Sequence, residues 1–132
     1  MQNVATARFS IKSWDEKPYN EGAGLPKMTR ASVAKTFTGD LTGEGQVEYL
    51  MMYREDGSAT FVALERIVGQ LAGKTGSFVL KRTGAFEDGV AKESYLVIRG
   101  SGTGELKGLR GEGETAVGHG MEHPMTLHYE FD

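Results

Sequence analysis

Gly39-Asp40-Leu41-Thr42-Gly43 returns in outline as Gly69-Gln70-Leu71-Ala72-Gly73 and as Gly104-Glu105-Leu106-Lys107-Gly108, each time between apolar runs. Glycine tolerates the positive φ of tight reversals, so each copy marks a place where one strand ends and the chain turns back. Around these marks, runs rich in Val, Ile, Thr, Tyr or Phe read as strands at residues 5–13, 29–38, 45–54, 59–68, 76–86, 90–99, 109–117 and 125–131. No long window carries a 3.6-residue apolar period between helix start and stop signals, so helix is confined to a single turn, placed at 104–107. Eight strands joined by short loops predict an all-β fold, an eight-stranded antiparallel up-and-down β-barrel, which leaves no exposed sheet edge. A β-sandwich is the alternative.

At 132 residues the chain reads as one domain, 1–132, able to bury a core without metal or disulfide support. It has no cysteine, which excludes disulfides, thiolate nucleophiles and thiolate metal sites and fits a cytoplasmic protein. Arg8, Lys12, Asp15, Glu16 and Lys17 break up the early apolar stretches, so the sequence predicts neither an export signal nor a membrane span there. Fifteen basic against eighteen acidic residues leave a net charge of −3 with no basic stripe, which argues against a nucleic-acid partner.

Asp56-Gly57 is the strongest hairpin signal, read as a two-residue turn that sets Glu55 opposite Ser58. That register brings Met52 opposite Phe61, Leu50 opposite Ala63 and Glu48 opposite Glu65. A second two-residue turn at Ala72-Gly73 adds Phe78, Leu80 and Arg82 to the same face, with Arg82 diagonal to Glu65. The opposite face would carry Val47, Tyr49, Met51, Tyr53, Val62, Leu64, Val68 and Val79 and is also apolar. One face then lines the interior, and the other is covered by a neighbouring copy in a homo-oligomer.

Two facing carboxylates in an apolar interior cannot both ionise without cost, which makes Glu48 and Glu65 the candidate acid and base. Arg82, Met52, Phe61, Phe78, Leu80 and Trp14 are the candidate ligand contacts, Trp14 as a lid over one mouth. His119 and His123 flank Glu122, but Gly118, Gly120 and Pro124 disfavour a shared helical face, so no metal is expected. His128 on the last strand is the better single acid/base group. Gly73-Lys74-Thr75 fails as a phosphate loop because strand follows where a helix is required, and the glycines of 100–113 lack the context of a dinucleotide fingerprint. No cofactor is expected.

Ser13-Trp14-Asp15-Glu16-Lys17-Pro18-Tyr19, Lys35-Thr36-Phe37-Thr38-Gly39-Asp40-Leu41 with Gly43-Glu44-Gly45, Glu48-Tyr49-Leu50, Gly76-Ser77-Phe78-Val79-Leu80 and Gly100-Ser101-Gly102-Thr103-Gly104-Glu105-Leu106 together resemble the bacterial domain of unknown function 3224 family. The resemblance implies an allene oxide cyclase-like, calycin-like barrel, usually oligomeric. Barrels of that type include cyclases and dirigent proteins, an analogy of fold alone. It also implies a histidine where this chain has Arg82, and arginine cannot shuttle protons at neutral pH. The resulting expectation is a barrel that holds a small, largely apolar organic molecule, with cyclase or isomerase chemistry on the carboxylate pair. A non-catalytic carrier or sensor, or a packed homo-oligomer, is the alternative.

Overall fold

The computed structural model describes residues 2–118 and 122–132. Its strands are β1 (Asn3–Asn20), β2 (Lys27–Gly39), β3 (Leu41–Tyr53), β4 (Ala59–Leu71), β5 (Lys74–Glu87), β6 (Val90–Val97), β7 (Thr103–Gly104), β8 (Leu109–Val117) and β9 (Glu122–Phe131). Each long strand pairs antiparallel with its sequence neighbours, β6 passes to β8, β9 returns to β1, and β4 pairs with β5 to close the ring. The result is a closed eight-stranded barrel with β7 as a short extra strand beside β5. The helical turn expected at 104–107 is instead β7 followed by reversals, with Leu106 N–H donating to the Thr103 carbonyl at 2.9 Å.

Because strands alternate up and down, every second connection lies at the same end, and the three glycine-leucine-glycine motifs all fall at one end. Their central residues Leu41, Leu71 and Leu106 are fully buried and belong to one core cluster, so they plug that end from within. The acidic residue beside two of them ties the end to a neighbouring strand: Thr6 N–H donates to Asp40 Oδ2 and Thr75 N–H to Glu105 Oε1, both at 2.9 Å. Gly43 pairs with Gly69, Gly69 with Gly76 and Gly76 with Gly104, a row of glycines across four strands. A Cβ on Gly69 would sit 1.9 Å from the Thr42 carbonyl oxygen, so the strands approach there more closely than any side chain allows.

β1 extends well beyond residue 13. Its pairing with β9 ends at Ser10, its pairing with β2 has a bulge between Ile11 and Ser13, and residues 13–20 continue along β2, which stays paired with β3 on its other side. Asp15, Glu16, Lys17 and Pro18 make this stretch polar, which is why an apolar reading ends the strand too soon.

The β3–β4 hairpin corrects the expected register by one residue. Arg54 N–H donates to Ser58 O and Gly57 N–H to Arg54 O, enclosing three residues with Gly57 at φ 88°. This is a β-turn followed by a left-handed residue, held by Asp56 Oδ1, which accepts from both the Ser58 N–H and its hydroxyl. A one-residue slip exchanges the two faces of a strand. Met51 therefore faces Phe61, Tyr49 faces Ala63 and Val47 faces Glu65. Val47, Tyr49 and Met51 point inward, while Glu48, Leu50 and Met52 point outward. The Ala72-Gly73 turn forms as expected, with positive φ at both residues, and the inward placement of Phe78, Leu80 and Arg82 follows.

Candidate functional site

The barrel interior has two apolar clusters. The plugged half holds Phe37, Ile67, Phe78, Leu80, Met125 and Leu127 among others. The open half holds Ala31, Val33, Val47, Tyr49, Met51, Ala59, Phe61 and Ala63. Ala59 in that list and Ala91 on β6 leave room that larger residues would fill. A chamber of about 430 Å³ opens there, walled by Phe9, Met51, Phe61 and Phe86 and bordered by Trp14 and Ala91. It lies in the size range of small-molecule sites.

A layer of charge separates the halves. β2 runs inward as Ala31, Val33, Lys35, Phe37, β4 as Ala63, Glu65, Ile67, and β5 as Phe78, Leu80, Arg82, so strand alternation carries three charged side chains into an apolar core. Glu65 Oε1 accepts from Arg82 Nε at 2.7 Å, and its Oε2 lies 3.4 Å from Lys35 Nζ. Arg82 Nη1 donates to Glu93 Oε1 at 2.6 Å, and its guanidinium stacks 4.9 Å over the Tyr95 ring. Gly45 makes the layer possible, since a Cβ there would come within 2.7 Å of Glu65 Oε2 and of the Phe37 ring. Two cations and two anions balance, as burial demands.

Burial works against the charge of Glu65, yet Arg82 and then Lys35 hold its carboxyl below the ordinary carboxylate range. Burial likewise opposes the charge of Arg82, but Glu65 and Glu93 more than restore it. Lys35 is different. Burial, with Arg82 adding to it, brings its ammonium down to about 8. Its Nζ sits on the chamber side of the layer, 4.5 Å from the Phe9 ring centre and 3.4 Å from the Tyr49 hydroxyl, which burial keeps protonated. Lys35, Glu93 and His123 line the chamber together with the hydroxyl-bearing Tyr49 and Tyr53.

The expected carboxylate pair does not form. Glu48 points to solvent, where Ser32 Oγ donates to it at 2.6 Å and Arg30 Nη2 at 3.3 Å, while Glu65 is fully buried. Met52 is likewise on the outer face. Phe78 and Leu80 are inside but belong to the packed half, and Arg82 is enclosed by its two glutamates below the chamber. Phe61 and Trp14 do line the chamber; Trp14 stacks on Tyr49 at 5.8 Å and donates Nε1–H to Glu16 Oε1 at 2.9 Å. His128 is on the outer face, whereas His123 points inward against Phe9. His119, the other half of the histidine pair, lies outside the described residues, and among the described residues no three His, Asp or Glu side chains group as metal ligands. The sequence reading misses Lys35, although its place in an inward apolar row was the available signal.

The family model for a protein of unknown function (DUF3224) matches residues 5–129. The chain belongs to the DUF3224 family. A DUF3224 protein of unknown function from Shewanella oneidensis MR-1, solved by crystallography, is 32% identical, superposes with a TM-score of 0.81, and matches over 100% of this chain and 99% of its own. No curated protein matches the sequence. The DUF3224 barrel is thus shared along its whole length with a solved relative of unknown function.

Proposed function

We propose that this DUF3224 protein binds a small, largely apolar organic molecule in the open half of its barrel. The observation that carries the reading is the chamber itself: aromatic and aliphatic walls converge on one buried ammonium, the arrangement that orients a ligand with an apolar body and one oxygen-bearing end. Carriage or sensing is favoured over cyclase or isomerase chemistry, because the carboxylates that were to move protons lie on opposite faces of the barrel wall. Trp14, the single tryptophan, borders the chamber and reports occupancy. Titration with 2-naphthylmethanol is expected to change its fluorescence saturably, with one ligand bound per chain; a linear, non-saturating response contradicts the reading.

We also infer a homo-oligomer formed through the outer face of β3, β4 and β5. Leu50, Val62, Leu64 and Val68 there are each roughly half exposed, and Leu50 pairs directly with Val62. Glu44 and Glu48 on β3 and Arg66 and Lys81 on β4 and β5 surround them. A copy related by a twofold axis along β4 sets the acidic strand of one against the basic strand of the other. Light scattering is expected to give a multiple of the 14.3 kDa chain that falls to the monomer in Leu64→Glu. A wild-type monomer at micromolar concentration refutes it.

A further inference from the structure

We propose that Lys35 is a carbonyl-trapping amine, its Nζ forming an imine with an apolar aldehyde or ketone held in the chamber. The inference rests on the binding reading above and adds a substrate class and a covalent step to it. Three observations point the same way. Lys35 lines an apolar cavity, its Nζ against the lining residues Phe9 and Tyr49, whereas the other lysines of the chain are exposed on the surface. It is not needed to neutralise Glu65 alone, because Arg82 takes the closer contact at 2.7 Å and Lys35 the longer one at 3.4 Å. A second cation, Arg82, is buried within the same layer, and desolvation beside another cation is how a lysine is kept partly unprotonated as a nucleophile.

The step balances without any co-reactant. The neutral amine adds to the carbonyl carbon, an N–C bond forms, and the carbonyl oxygen takes a proton to give a carbinolamine. The nitrogen then gives up its remaining proton as the C–O bond breaks, and the oxygen leaves as water, both of whose hydrogens come in net from the amine. The Tyr49 hydroxyl, 3.4 Å from Nζ, is placed to hydrogen-bond the carbinolamine oxygen. Glu93 and His123, from β6 and β9, line the same space to relay the protons. Protonation from solvent turns the imine into an iminium, which keeps a positive charge opposite Glu65 and preserves the balance of the layer.

The test is reductive trapping with 2-naphthaldehyde and cyanoborohydride, followed by intact-mass measurement and peptide mapping of the wild-type chain. One naphthylmethyl group per chain is expected, at Lys35, added roughly tenfold or more faster at pH 7.5 than at any surface lysine. The rate at Lys35 should rise as the pH passes through about 8. Lys35→Arg, which retains the charge, should lose the fast addition while keeping its circular dichroism spectrum. Labelling spread evenly over the surface lysines of the wild type overturns the proposal whether or not the variant folds. If 2-naphthylmethanol binds and the aldehyde does not label Lys35, the covalent step falls and the binding reading stands; if neither occurs, both fall.

Discussion

Glu65→Gln is expected to lower the stability of the folded chain by about 3–5 kcal/mol in urea unfolding, the usual penalty for removing one partner of a buried ionic group. Glu65 is fully buried and is the one carboxylate shared by Arg82 and Lys35. The glutamine keeps the shape and can still accept a hydrogen bond, but it leaves two buried cations facing the single charge of Glu93. The same residue predicts an acid limb. Its carboxyl titrates lower in the folded chain than its ordinary 4.5, so the folded state binds fewer protons than the unfolded one in that range. Its contribution is present above about pH 4.5 and is lost as the pH falls through the folded value, a loss the Gln variant should not show. Glu48→Gln, at an exposed pair, is expected to change stability by less than about 0.5 kcal/mol. Equal effects at the two positions would contradict the ionic layer.

Gly69→Ala is the second large effect. The new methyl would lie 1.9 Å from the Thr42 carbonyl oxygen and 2.7 Å from the Gly43 Cα, both backbone atoms that cannot swing aside as a side chain can. Strands β3 and β4 would have to separate at the Gly43–Gly69 pair, next to the Leu41–Leu71 plug. About 3 kcal/mol is expected to be lost, at the upper end for overpacking because backbone must move. A loss below about 1 kcal/mol would show that the strands can part there at little cost.

Much of the fold was legible because turns and strand alternation are local. The glycine-leucine-glycine copies mark real reversals, and the Ala72-Gly73 turn carries the correct register from β4 to β5, including the diagonal contact of Arg82 with Glu65. The site was half legible, and a single loop length accounts for the loss. Asp56-Gly57 suits either a two-residue turn or a three-residue loop ending in a left-handed glycine, and the Asp56 side chain bonding to Ser58 selects the second. That one-residue difference turns Glu48 out and Tyr49 in, exchanging an acid/base pair for a hydroxyl beside Lys35. Lys35 itself was overlooked because a lysine in a strand is ordinarily solvated. Its neighbours two apart, Val33 and Phe37, are the residues that place it inside.

The affinity of 2-naphthylmethanol for the wild type and for Ala91→Phe, read through Trp14, tests whether the chamber holds the ligand. Ala91 borders the chamber beside Phe86 and is only partly buried, so a phenyl ring there occupies the cavity without forcing the packed half apart. Saturable binding to the wild type is expected, weakened at least tenfold, by about 1.4 kcal/mol, in the variant. Equal affinity in the two proteins would place the ligand outside the chamber.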